Sequence, residues 1–277
     1  MHPLSAWGID IIRGAEGVAW MVLRNAGRMN AIRLEMWREI PGIVADLDAD
    51  PTVRLIVMRG DGTGAFASGA DISEFETHRQ AAISAAAYER MTACAFEALG
   101  ALEKPLLAMI QGACVGGGLA LAVSADLRIA ADDAHFALPA ARLGLGYHFS
   151  GVERLVRLVG PSAACEIFFT ARRYSAPEAL RIGLVNHVVA KADLEAFTAS
   201  YATEIAANAP LTLRAAKRAI VETQRDPARR DLATVNAMIA AATAPGINHQ
   251  VINVGSGTET SIRDGVRLIM SVTVSKV

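Results

Sequence analysis

Charge of one sign is scarce: 27 Lys and Arg stand against 28 Asp and Glu, leaving a formal net charge of −1. No basic face therefore advertises nucleic acid, and no acidic tail suggests a solvating role, so a small molecule is the expected partner. Cysteine is nearly absent, and Cys94, Cys114 and Cys165 are odd in number and unclustered. That excludes a disulfide framework and a zinc site, and the three read as core thiols of a reducing compartment. The opening "MHPLSAWGID" has no charged region ahead of an apolar core, so no signal peptide is expected and the cytoplasm is the expected location. Low-complexity tracts and a sustained period of about 20 to 50 residues are also missing, which argues against a solenoid.

The chain has 277 residues, enough to bury a substantial core in one main domain with an appendage. "PLLAMIQGACVGGGLALAVSADLRIA" has about the length of a membrane span. Gln111 and four glycines interrupt it, however, and a buried strand, a glycine turn and an Ala/Leu helix fit it better. "GIDIIRGAEGVAWMVLRN" predicts two strands about a turn, and "NAIRLEMWREIPGIVADLDAD" predicts a helix that Pro41 can kink. "VRLIVMRGDG" predicts a strand, followed by "FASGADISEF" and an Ala-rich helix to about Leu102. Strands alternating with helices are the pattern of an α/β fold with parallel strands. Beyond about Pro161, "SAACEIFFTARRYSAPEALRIGLVNHVV" and the segment to Gln224 read as helices with short connections. The tail from about residue 245, "GINHQVINVGSGTETS" and onward, brings back β-branched residues and fits neither pattern.

Two turns of very small residues, "FASGAD" and "GACVGGG", each follow a predicted strand. Bare backbone of this kind lets N–H groups approach a ligand, and two such turns side by side can converge on one oxygen. Close strand–helix packing is the competing reading. Phosphate binding is disfavoured, because "GACVGGG" lacks the Lys and Ser/Thr of a P-loop and "GLGYHFSG" misses the dinucleotide spacing.

"GAFASGADISEF", "KPLLAMIQGACVGGGLALAVSADLRIA", "AHFALPAARLGLGYHFSGVERLVRLVG" and "ARRYSAPEALRIGLVNHVV" occur in an order that resembles the crotonase, or enoyl-CoA hydratase/isomerase, superfamily, over about residues 8 to 242. The resemblance implies an α/β spiral of ββα turns over residues 1–200, with an acyl-CoA site. It also implies a mainly helical region over 201–277 used in assembly as a homotrimer or a dimer of trimers. The substrate it implies is an acyl-CoA thioester, with no cofactor besides coenzyme A as part of the substrate and no metal. By motif position, the thioester carbonyl would lie between the N–H groups of Ala70 and Gly117, bordered by Ala67, Gly69, Asp71, Ile72 and Gly116. Asp71 also reads as a helix N-cap next to "ISEF".

Hydratases of the superfamily carry one Glu two residues after the glycine triplet and another after the next Pro. Here those positions are Ala120 and Ala140, and an alanine cannot transfer a proton. Some other members place an Asp slightly later, at the point where His148 aligns, which makes His148 the candidate base or acid. Tyr147 is a candidate to donate to substrate, to orient His148 or to line the acyl tunnel. Glu74, Glu153 and His135 read as structural. For coenzyme A, the resemblance points to Arg24, Arg28, Asn30 and Ala31, while lysines common in relatives are replaced by Gly64 and Ser73. The expectation is an enoyl-CoA hydratase/isomerase family enzyme working by isomerisation or thioester hydrolysis. The alternative is a non-catalytic acyl-CoA-binding protein.

Overall fold

The computed structural model describes residues 6–71, 82–147 and 149–243. Strands β1 (Gly8–Arg13) and β2 (Val18–Arg24) pair antiparallel, as the two apolar runs about the Gly14–Gly17 turn predict. Helix α1 (Leu34–Ala49) follows and passes through Pro41, burying Met36, Trp37, Ile40, Val44 and Leu47 on one face at helical spacing. Strand β3 (Leu55–Gly60), the short β4 (Ala65–Ala67) and helix α2 (Ala82–Ala101) make the next unit. Strands β5 (Leu106–Ile110) and β6 (Ala113–Val115) with helix α3 (Gly117–Ser124) repeat it. A third round consists of β7 (Leu127–Ala131), β8 (His135–Ala137) and the one-turn α4 (Ala140–Leu143). Helix α5 (Phe149–Thr170) is broken at Gly160, whose φ is 79°, just before Pro161.

Residues 172–189 depart from the helical expectation. They contain β9 (Tyr174–Ser175), the short helix α6 (Ala176–Arg181) and β10 (His187–Val189). Strands of two and three residues show no period to detect, and here pairing with an existing sheet decides their conformation. β9 joins β8 antiparallel and β10 joins β7 parallel. The remaining helices, α7 (Leu194–Ala207), α8 (Pro210–Thr223) and α9 (Leu232–Thr243), are those expected for the C-terminal region. The tail beyond residue 243 lies outside the described residues.

The large sheet runs β1-β2-β3-β5-β7-β10 and the small one β4-β6-β8-β9. Alternation sorts the large sheet's residues between two cores. Ile56, Met58, Leu106, Ala108 and Ile110 pack with Met36, Trp37 and Ile40 of α1, whereas Leu55, Val57, Leu107 and Met109 pack with Leu194, Ala202 and Ala206 of α7. Apolar burial on both faces explains why these strands read as continuous apolar runs. Of the three thiols, only Cys114 is in the core; Cys94 and Cys165 are exposed on α2 and α5, contrary to the reading of all three as core residues. Each sits on a helix, where apolar neighbours in sequence fall on other faces. Among the described residues, no helix is long and apolar enough to cross a membrane; the 105–130 segment holds the predicted strand and helix, with β6 inside the expected turn and the start of β7 at its end, two strands the expectation missed.

Candidate active site

The two glycine turns meet. Gly69 O accepts from Ile32 N–H at 2.7 Å and Asp71 N–H donates to Ile32 O at 3.0 Å, so Ile32 clamps the backbone on either side of Ala70. Gly116, with φ 53° and ψ −119°, reverses the chain after β6 and starts α3 at Gly117. Such a conformation strongly favours glycine. Gly116 N–H is spent on Ala137 O at 2.9 Å, which ties the turn to β8. A Cβ placed on Gly117 would lie 3.7 Å from Ala70 N, and one placed on Gly69 would lie 3.8 Å from Gly117 N. The two amides therefore border one space. Among the described residues neither donates a backbone hydrogen bond, while their neighbours Asp71 and Gly116 do. Gly117 is also the first residue of a helix, where the N–H groups have no intrahelical acceptor and carry the positive end of the dipole.

Close packing fixes this geometry. A Cβ on Gly118 would fall 2.3 Å from Ala67 O, so α3 rests directly on β4. On its other side the Trp37 ring covers the helix start, with Cζ2 3.2 Å from a Cβ at Gly117. Trp37 in turn packs edge-on to Phe96 of α2, with ring centroids 5.3 Å apart.

The space opens into a cavity of about 1050 Å³, lined by α1, α2, α3 and the segment from Leu138 to Leu155. Gly69, Ala70, Asp71, Gly116 and Gly117 reach its wall. Ala120 and Ala140 reach it too, presenting methyl groups where the resemblance puts carboxylates. Tyr147 lines it as well; its hydroxyl stands 3.5 Å from Gly116 O, the long limit of a hydrogen bond, and its ring meets Phe168 edge-on. Desolvation, reinforced by Tyr88 and Cys114, pushes the Tyr147 phenol well above its ordinary pKa, so it is protonated at neutral pH. Asp71 is buried, with Asn25 Nδ2 3.4 Å from its Oδ2.

Other predicted residues are placed elsewhere. Ala67 is buried in β4 behind the wall. Arg24 holds Asp10 through two N–H groups, at 2.7 and 3.1 Å. Asn30, with φ 54°, accepts Asn25 N–H and donates to Asp61 O and Ala65 O. Ala31 is buried, and Arg28 is exposed on a turn whose carbonyl accepts from Ser68 Oγ at 3.0 Å. The 24–31 loop is thus bound to the chain just before Ala70. Glu153 makes the expected helix-face ion pair, 2.7 Å from Arg157, and His135 sits on β8 away from the cavity. Ile72, Glu74 and His148 lie outside the described residues. Trp37, Phe96 and Arg154 line the cavity without having been singled out from sequence.

A family model described as "Enoyl-CoA hydratase/isomerase" matches residues 13–247. The chain belongs to this family. It is 35% identical over 212 residues to the short-chain-enoyl-CoA hydratase of Clostridium acetobutylicum, covering 76% of this chain and 80% of that protein. It is likewise 35% identical over 212 residues to the crotonyl-CoA hydratase of Syntrophomonas wolfei, covering 76% of this chain and 81% of that one. Among solved structures, an enoyl-CoA hydratase/isomerase family protein of Hyphomonas neptunium superposes with a TM-score of 0.79 at 40% identity, over 84% of this chain and 89% of that one. These neighbours bear out the expected mixed α/β crotonase fold with a helical C-terminal region, and membership of an enzyme family named for hydratases and isomerases.

Proposed function

We propose that this enoyl-CoA hydratase/isomerase family member holds an acyl-CoA thioester with its carbonyl oxygen between Ala70 N–H and Gly117 N–H. The observation that carries the reading is the pair of unspent amides bordering one space on the wall of a cavity. As an enolate or an adjacent tetrahedral centre forms, negative charge grows on that oxygen. Fixed dipoles stabilise the charge without reorganising, and one donor is typically worth about 3 to 4 kcal/mol. The desolvated, apolar surroundings strengthen the effect.

Ala120 and Ala140 supply no proton, so hydration through two carboxylates is not the reaction this wall performs. His148 is the proposed proton carrier, and isomerisation, which needs only removal and return of one proton, suits a single base. Thioester hydrolysis by a His-activated water is the other reaction compatible with it. Tyr147, which is protonated and whose only contact as a donor among the described residues is the long one to Gly116 O, is the proposed donor to the bound acyl group, giving up that contact to do so. The two methyl groups in the wall favour one second reading, an acyl-CoA-binding protein without turnover. Self-association through α8 and α9 belongs to the same proposal, since Ile220, Leu232 and Ile239 are exposed there; sedimentation equilibrium tests it.

The deciding experiment is a mass-resolved turnover assay over saturated, enoyl, dienoyl and branched thioesters, with wild type and His148→Ala. Turnover that disappears in His148→Ala while thioester binding persists is the expected result. Binding without turnover in the wild type would leave the binding-protein reading.

A further inference from the structure

Aromatic residues make up only 5% of the chain, yet Trp37, Tyr88, Phe96, Tyr147 and Phe149 all line the cavity. They come from two sides. Trp37 stands on α1 and Tyr88 and Phe96 on α2, whereas Tyr147 and Phe149 belong to the wall of residues 138–155. Tyr88 lies close enough to Tyr147 to hinder ionisation of its phenol, so the two sets approach each other. Beside the two amides, by contrast, the lining is bare. Gly116 and Gly117 have no side chain, and Ala120 and Ala140 present single methyl groups. Ala120 N–H donates to Gly116 O at 3.0 Å, which sets that methyl group on the first turn of α3, next to the Gly117 amide.

The rings are held from behind. Trp37 is edge-on to Phe96, and Tyr147 meets Phe168 edge-on at 5.2 Å while its Cε1 would lie 2.9 Å from a Cβ on Gly151. Rings braced in this way do not fold inward to fill a chamber of about 1050 Å³, so a ligand must supply the missing contacts. The polar side chains of the lining are already committed. Thr92 Oγ1 donates to Tyr88 O at 3.1 Å, Ser124 Oγ donates to Ala120 O at 3.0 Å, and Arg154 Nη2 donates to Phe96 O at 2.9 Å. Asp71 is buried beside Asn25, and Arg38 and Glu89 are exposed. The chamber therefore selects by apolar shape.

We propose that the acyl group held here carries an aromatic ring close to the thioester, making the preferred ligands coenzyme A thioesters of arylalkanoic acids. The proposal rests on the acyl-CoA reading of the cavity. Bare lining next to the amides leaves room for a wide group near the carbonyl, and the fixed rings offer it edge-on and offset contacts, each worth about 2- to 10-fold in affinity beyond the area buried. A ring also has few bonds to immobilise, whereas a straight chain of equal carbon count loses freedom at every bond. That straight chain has the more apolar surface to bury, so a cavity that only excluded water would prefer it. A preference for the ring is thus diagnostic.

The test is calorimetric titration of the full chain with thioesters matched in carbon count, phenylacetyl-CoA against octanoyl-CoA and 3-phenylpropanoyl-CoA against nonanoyl-CoA. Wild type, Trp37→Leu and Ala120→Leu are compared, with melting temperatures checking the fold. Support is a wild-type preference of about fivefold or more for the ring-bearing member of at least one pair, reduced when Trp37→Leu removes a ring or Ala120→Leu narrows the space beside the amides. A preference below about fivefold in both pairs, or a straight chain bound more tightly, overturns the proposal while leaving the acyl-CoA reading intact. A ring preference unchanged in both variants overturns it too. Failure of all four thioesters to bind wild type overturns the acyl-CoA reading and this proposal with it. If Trp37→Leu does not fold, the wild-type ratio and Ala120→Leu decide.

Discussion

The cavity wall built by β4, β6 and the start of α3 presents main-chain groups, whereas the wall built by residues 138–155 presents side chains. In the first, Ala70 and Gly117 offer N–H groups, and Ala67 lies too close to leave room for a side chain at Gly118. In the second, Ala120's counterpart Ala140 is blank, Tyr147 carries a hydroxyl and Arg154 a charge, and Gly146 has nothing within 4 Å of a Cβ position. A backbone device survives side-chain substitution as long as the fold persists, because the peptide supplies the chemistry. The side-chain wall is free to change, and the proposed function assigns proton transfer and acyl selection to it. On the proposed function, one fold keeps a main-chain way of polarising a thioester while its side chains are free to diverge.

The sharpest way to break this contrast is to delete a main-chain donor. Gly117→Pro removes the N–H at the first residue of α3 and sets a ring carbon against Trp37, so urea midpoints are read beside the kinetics; turnover should fall about 10²- to 10³-fold in single-turnover experiments, far more than thioester affinity falls. Next in size, Gly118→Ala forces a methyl group against Ala67 O and should lower stability by about 1 to 3 kcal/mol, read from urea midpoints. Equal stability of that variant and wild type would show that the first wall has the slack of the second.

A smaller effect is expected with pH. Tyr147 keeps its proton in the folded state well beyond the range in which an unfolded tyrosine, with a pKa of about 10, loses it. Above that pH the unfolded chain binds fewer protons than the folded one, so stability present at neutral pH is lost as pH rises. Tyr147→Phe should flatten the decline between about pH 9 and 11 in urea midpoints. The smallest change is expected from Gly146→Ala, within about 0.5 kcal/mol of wild type by thermal melting, since the new methyl group meets open space. A loss there comparable to that at Gly118 would erase the distinction between the walls.

The same contrast explains what could be read from sequence. The two small-residue turns advertise themselves because a requirement for bare backbone leaves glycine and alanine in short, unusual runs such as "FASGAD" and "GACVGGG". Trp37 gave no such sign, since its spacing with Met36 and Ile40 is that of any buried helix face. Arg154 sits in "GVERLVRLVG", where an exposed ion-paired face is the natural reading; only the packing of α5 on α2 turns its guanidinium to Phe96 and Gly100. The longer strands β1, β2, β3 and β5 and the helices alternating with them to about residue 125 were legible from their periods, while the three-residue β4, β6 and β8 were too short to show one. β9 and β10 were not, because their pairing partners lie far back in the chain.

Those two short strands also set the order in which the molecule can be completed during synthesis. The bond from Arg128 N–H to Asn186 Oδ1 spans 58 positions and joins the end of the β5–β7 core to the β10 segment. Until residue 175 leaves the ribosome β8 is an unprotected edge of the small sheet, and until residue 189 does so β7 is one of the large sheet, each a ready template for a neighbouring chain. Both edges stay open until most core residues have been made, and the 16-residue stretch from Tyr174 to Val189 then covers first β8 and afterwards β7 with strands too short to serve as long templates.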